Sequence, residues 1–222
     1  NFTATAGEPS VNVSAWNPDK LSITAPSGFT GSFALALTAT STESVTNESV
    51  SRALTLTVTV LPANIQSPIV LDLNGDGIRT TALDASNGTF DLLDTGDAIS
   101  SGWISPEDGF LAIDANGNGA IDDRSELFGG SVGEGYARLQ AFDTNHDGQV
   151  DARDERFAEL EIWRDQNGNH RTDAGELASL GDFGITALST RYAMAPEQQN
   201  GNWLLERGTA TLKDGSSIAM AD

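Results

Sequence analysis

Hydrophobic and polar residues alternate strictly in the first quarter of the chain and fall into short apolar runs after it. Phe33, Leu35 and Leu37 are separated by small residues, and Leu54, Leu56, Val58 and Val60 by Thr55, Thr57 and Thr59. A period of two places one set of side chains on one face of a pleated strand, so these segments are predicted as half-buried antiparallel strands. Turn residues separate them, Pro26-Ser27-Gly28 and Asn47-Glu48-Ser49. Thr- and Val-rich strands suit a β-sandwich, here a partial one that includes Trp16. Residues 61–68, Leu-Pro-Ala-Asn-Ile-Gln-Ser-Pro, are predicted as a linker, which divides the chain into domains at 1–64 and 65–222.

Beyond Pro68 each apolar run leads into a string of Asp, Asn and Gly. Ile69-Val70-Leu71 runs into Asp72–Gly77, and Phe110–Ile113 into Asp114–Gly119. Tyr136, Leu139 and Phe142 share one face of a predicted short helix over 134–142, which feeds Asp143–Gly148. A second helix is predicted with Phe157 and Leu160 inward. Ile162-Trp163 then enters Asp165–Asn169, and residues 174–180 are predicted as another short helix. Thr209–Leu212 and Ser217–Ala219 flank Asp214-Gly215, which reads as a hairpin turn. The expected fold is an N-terminal all-β segment, a partial sandwich, followed by an α+β module with EF-hand-like loops.

The loops carry the chemistry. Calcium takes six to eight oxygens, and a loop supplies them from alternate residues around a sharp glycine turn. Loop A offers Asp72, Asn74 and Asp76, with Gly77 at the sixth place and Leu83 where the closing acid belongs. Loop B offers Asp114, Asn116, Asn118, Gly119, Asp122 at the ninth place and Glu126 one step beyond the twelfth. Loop C offers Asp143, Asn145, Asp147, Gly148, Gln149 at the seventh place, Asp151 at the ninth and Asp154 at the twelfth. Loop D offers Asp165, Asn167, Asn169, Arg171, Asp173 and Glu176, with His170 in place of the glycine. The plainer alternative is that some are Asx-rich turns. Magnesium keeps its waters and seldom uses such cages. Zinc would want Cys or His, and the chain has no cysteine. Its two histidines, His146 and His170, sit inside loops, where outward solvated side chains are expected.

Charge sharpens this picture. From residue 65 onward there are 28 acidic and 10 basic residues, an excess that repels itself unless cations neutralise it. The same excess argues against nucleic acid as a partner. No apolar run is long enough to span a bilayer. The absence of cysteine fits a secreted bacterial protein. The chain opens on Asn1 without a leader pattern, so it is expected to be a monomeric piece of a longer protein.

The motifs, taken in order, resemble the self-processing modules of iron-regulated RTX proteins. The resemblance begins at Ser67-Pro68 and Ile69–Gly77, and continues through Gly102-Trp103, Glu107-Asp108-Gly109 and Asp114–Gly119. It goes on through Glu126–Gly129, Phe142–Gly148, Trp163–Asp165, Gly175–Leu177 and Leu180-Gly181. Residues 1–62 resemble the end of an Ig-like or cadherin-like repeat of large RTX adhesins. Such proteins are exported by type I secretion and fold on meeting extracellular calcium, so the resemblance implies a secreted, cell-surface protein holding three or four Ca²⁺ ions. The self-processing members cut an Asp-Pro bond, the Asp carboxyl attacking its own main-chain carbonyl. None of the seven prolines here follows an Asp, and the matching position is Ser67-Pro68. A stretch that resembles a further loop, Asp91–Asp97, has Leu93 where a ligand belongs.

The expected function is therefore a non-enzymatic, calcium-dependent adhesin module that binds a peptide or protein ligand on a cell surface, with no catalytic residue. Trp103, Tyr192 and Trp203 are the candidate ligand-binding residues. Two other readings stand beside it: a calcium-triggered autoproteolytic module or its inactive relative, and a calcium-stiffened spacer.

Overall fold

The computed structural model describes residues 2–4, 10–62 and 65–222, and the chain divides into two compact units, Asn1–Pro62 and Ala63–Asp222. Residues 63 and 64 of the predicted linker lie outside the described residues.

The first unit contains one hairpin. Strand β1 (Gly31–Thr42) pairs antiparallel with β2 (Ser49–Val60) in unbroken register from Gly31↔Val60 to Thr42↔Ser49. Hydroxyl pairs cross it at Ser32–Thr59, Thr40–Ser51 and Thr42–Ser49, all within 2.9 Å. The strands follow the period-two pattern, but the sandwich expected from it is not formed among the described residues. Leu37, Leu54, Leu56 and Trp16 are exposed, and among the described residues the first unit has no second sheet of its own to cover them.

The second unit is built on a nine-stranded sheet. The strands of this unit, in that sheet and outside it, are β3 (Ser67–Pro68), β4 (Val70–Leu71), β5 (Thr80–Thr81), β6 (Trp103–Ile104), β7 (Gly109–Ala112), β8 (Gly129–Gly130), β9 (Gln149–Asp151), β10 (Glu161–Trp163), β11 (Leu177–Ser179), β12 (Ile185–Ser189), β13 (Ala193–Gln199), β14 (Asn202–Leu212) and β15 (Ser217–Ala221). The main sheet runs β11-β10-β7-β4-β15-β14-β12-β9, with β13 on β14, and β3-β8 and β5-β6 form separate pairs. The pairs are antiparallel. The predicted hairpin forms at Asp214-Gly215, with Gly215 at φ 84°.

Both faces of this sheet are covered, which explains the continuous apolar runs. Ile69, Leu71, Leu111, Ile113 and Ile162 point into one buried cluster, with Phe128, Tyr136, Leu139 and Phe142. Val70, Phe110, Ala112 and Trp163 alternate with them into a second, with Phe90, Trp103, Ile121 and Leu127.

The α+β expectation is corrected: the unit is mostly β, with a single α-helix, α1 (Glu134–Gln140), in place of EF-hand helix pairs. Loop C leaves into strand β9, which pairs with β12. The predicted helix at Phe157 shrinks to a 3₁₀ turn, Phe157–Glu159, because Leu160 must drop into the core before β10 begins. The helix predicted over 174–180 is a strand, β11, followed by a 3₁₀ turn. Gly175 at φ 89° breaks helical geometry, and Ser179 with Asp182 forms a capping box that starts the turn only at Leu180.

Candidate metal loops

All four loops adopt one backbone. The residues at the fourth and sixth places are left-handed throughout: Gly75 and Gly77, Gly117 and Gly119, His146 and Gly148, Gly168 and His170. The opening carboxylate accepts from the loop's own amides. Asp72 accepts the N–H groups of Gly75 (2.8 Å) and Gly77 (2.9 Å), and Asp114 those of Gly117 and Gly119 (2.8 Å each). Asp143 accepts from Gly148 (2.9 Å), and Asp165 from Gly168 (2.8 Å) and His170 (2.9 Å). In each loop the third residue, Asn74, Asn116, Asn145 or Asn167, accepts from the amide two places on. At the seventh place, Gln149 and Arg171 donate their own N–H groups backward, to Asp147 and Asn169.

The closing acids of loops B, C and D are buried and grip the loop at both ends. Glu126 accepts from Ala115 (3.0 Å) and Asp122 (2.9 Å). Asp154 accepts from Thr144 (2.8 Å) and Asp151 (2.9 Å), and Glu176 from Gln166 (2.8 Å) and Asp173 (3.0 Å). Glu126 does this from one place beyond the twelfth, so the displaced acid reaches the same position.

Loop A has no closing acid of its own, and the structure brings beside it Asp108, which the sequence marks only as part of the Glu107-Asp108 pair, a calcium ligand or a turn, without tying it to this loop. Antiparallel pairing sets Leu71 opposite Gly109, so Asp72 and Asp108 leave β4 and β7 side by side. Asp108 is 1% exposed and accepts the N–H of Arg79 at 2.8 Å. Burial pushes its carboxyl up to about 6; the Arg79 N–H opposes the rise, and the charges of Asp72, Asp76 and Glu107 add to it.

The donors are carboxylates, amides and main-chain carbonyls, which suit a hard cation such as calcium. Among the described residues no three acidic or histidine side chains close on one point, so amide and carbonyl oxygens must complete any coordination. The side chains do converge. Asn167 and Asn169 both reach Asp173, at 2.7 and 2.8 Å, and Asn118 reaches Asp122 at 2.5 Å. In loop C the Arg153 guanidinium stands between Asp147 and Asp151, 2.6 Å from each, where positive charge is needed.

A fifth turn separates backbone from chemistry. Asp91 accepts from Thr95 (3.0 Å) and Gly96 (2.6 Å), and Asp94 (φ 54°) and Gly96 (φ 82°) are left-handed. Yet Leu93, at the third place, is exposed and offers no oxygen. The turn therefore forms on its Asp–amide bonds alone.

His146 is exposed, but His170 is not the solvated residue expected. Its ring is 2% exposed and stacks on Trp103 with centroids 3.8 Å apart and planes at 14°. It also pairs with the Ser86 hydroxyl at 2.9 Å, and burial lowers its basicity. Trp103, a candidate ligand-binding residue, packs in the core in the same place. Its indole is buried among Phe90, Phe110 and Trp163, and its N–H donates to Asp165. Tyr192 is 43% exposed and leans on Tyr136 at 4.7 Å, while Trp203 is half-buried on β14.

Ser67 lies on β3 opposite Gly130. Its hydroxyl lies within reach of Asp222, which with Glu206 forms a buried acid pair that makes no ion pair among the described residues. Burial raises both carboxyls above the usual carboxylate range, and the charge of Glu206 adds to the rise at Asp222.

Comparison with known proteins bears on the second unit. The SPM domain family matches residues 69–222. The iron-regulated protein FrpA of Neisseria meningitidis serogroup C is 38% identical over 169 residues, which is 72% of this chain and 15% of that protein. The chain thus spans a small part of that relative's length. The family match leaves out residues 1–68, so the adhesin and Ig-like resemblance of the first unit gains nothing from it. Over its second unit, the chain belongs to the SPM domain family.

Proposed function

We propose that residues 65–222 form a calcium-dependent module of a longer, secreted RTX-type protein, folded and stiffened by ions held in loops A to D. The observation that carries this reading is the shared loop backbone, clasped by a buried acid in loops B, C and D. The acidic excess supports it, since cations would offset the repulsion. Likeness to FrpA supports an RTX-associated setting and export from the cell. Among the described residues no helix is long and apolar enough to cross a membrane. The module is not an enzyme on this reading, because Ser67 cannot form the anhydride that an Asp before Pro68 would.

Calorimetric titration of the chelator-stripped chain with calcium tests the proposal. Heat of binding accompanied by a gain of β-sheet circular dichroism supports it, and a flat titration of folded protein sinks it.

Recognition of a peptide or protein ligand is the finer step of the same reading. Tyr192 and Trp203 remain accessible near the β13–β14 hairpin, while Trp103 is withdrawn into the core. Titrating calcium-loaded protein with short peptides that end in a free carboxylate, with and without chelator, separates a binding module from a spacer.

A further inference from the structure

Loop A, read from its own residues, is an incomplete cage. Asp72, Asn74 and Asp76 supply its first half, and Leu83, which is exposed, stands where the closing acid belongs. The other three loops show what is missing. Each has a buried carboxylate that accepts an N–H from the loop's ninth residue with one oxygen and from its second residue with the other.

Asp108 meets part of that description from another part of the chain: it is a buried carboxylate that accepts one main-chain N–H of loop A, from the eighth residue rather than the ninth, and none from the second. It is almost fully buried, and its Oδ2 accepts the N–H of Arg79, the eighth residue of loop A. Its Oδ1 is buried with no hydrogen-bond partner. An ionised oxygen in that state is costly unless something positive meets it. The β4–β7 register places Asp108 beside Asp72, and the charges of Asp72 and Asp76 act on its carboxyl, so the group sits at the same corner as the loop's opening residues. Glu107, its neighbour, faces solvent and accepts from the Asn74 amide at 3.0 Å, which ties the two segments together.

We infer that Asp108 is the closing carboxylate of loop A, a calcium ligand supplied from the start of β7 rather than from the loop. This rests on the calcium reading proposed above. The ion would then bridge two strands that are remote in sequence. Loop A would depend on the sheet being formed, whereas loops B, C and D carry all their ligands locally.

Calcium titration of the full chain by calorimetry tests this, with circular dichroism at saturating calcium as a check on folding. Asp72→Asn and Asp108→Asn are each expected to lose the same single ion, or to weaken it about 10- to 100-fold, the range over which metal-site partners act. The double variant is expected to lose no second ion, and Glu107→Gln none. If Asp108→Asn keeps every ion at full affinity while Asp72→Asn loses one, the inference is overturned. If the unaltered chain takes up no calcium, the broader calcium reading falls with it. A crystal structure of the unaltered calcium-loaded chain decides the matter even where Asp108→Asn fails to fold. An ion about 2.3–2.6 Å from Asp108 Oδ1 supports the assignment. An ion in loop A with Asp108 out of reach refutes it.

Discussion

Trp103 and Asp165, 62 residues apart in sequence, are joined by a buried 2.8 Å hydrogen bond from the indole N–H to the carboxylate that opens loop D. A core aromatic is thereby wired to a candidate metal ligand. Terbium, which takes calcium sites and luminesces when a nearby indole passes it energy, should report this directly. Trp103→Phe is expected to lower that emission and to cost about 1–3 kcal/mol of stability, as a charged acceptor loses a donor. Trp203→Phe should do neither. Equal emission from both variants would break the link between Trp103 and loop D.

The two histidines at left-handed positions should respond in opposite ways to glycine. A non-glycine residue in that conformation costs about 1–2 kcal/mol. His146 (φ 59°) is exposed, so His146→Gly is expected to raise the melting temperature by relieving the strain. His170 (φ 63°) gains its stack on Trp103 and its bond to Ser86 in return. His170→Gly is therefore expected to lower the melting temperature, the buried packing outweighing the strain. Thermal melts of the two variants in saturating calcium decide it.

The buried Asp222–Glu206 pair makes stability depend on pH. Burial, with the charge of Glu206 adding, raises the Asp222 carboxyl to about 9. Above the ordinary carboxylate range the unfolded chain releases this proton and the folded chain keeps it. Stability from this group is therefore greatest in acid and is lost as pH climbs toward 9, at up to about 1.4 kcal/mol per unit for one whole proton. Asp222→Asn should remove that slope, so its gain over the unaltered chain grows from pH 5 to pH 8. Parallel melting curves would show that the pair does not titrate this way.

Removing calcium should loosen the second unit. Each ion present at a hundred times its dissociation constant adds about 2.7 kcal/mol, and that support vanishes on chelation. Added salt is expected to restore part of the fold by screening the acidic excess. A far-ultraviolet spectrum that is the same in calcium and in chelator at low salt would count against coupled folding.

The loops were legible in the sequence because their donors are spaced locally, so Asp72, Asp114, Asp143 and Asp165 could be placed by counting. Asp108 could be read only as one of an acidic pair in a turn or on calcium, because the β4–β7 register alone brings it to loop A. The flanking elements misled for a related reason. Loop spacing of this kind suggests helices on both sides, yet Val150, Ile162 and Leu177 enter a sheet whose pairing is long-range. Trp103 sits beside a turn in the sequence, and nothing local shows that Phe90, Trp163 and His170 close over it.

In the main sheet of the second unit the first and last strands in sequence are neighbours: β4 pairs antiparallel with β15, Val70 opposite Ala221 and Leu71 opposite Met220. Once β3 has parted from β8, tension applied at residues 65 and 222 would pull β4 and β15 apart from a shared end, loading their hydrogen bonds one after another instead of all together. The fold is thus built to unzip rather than to shear, and its mechanical strength would rest on whatever locks β4 to its other neighbour, β7. An ion held between Asp72 and Asp108 sits at that seam, so calcium would set the force at which the module opens.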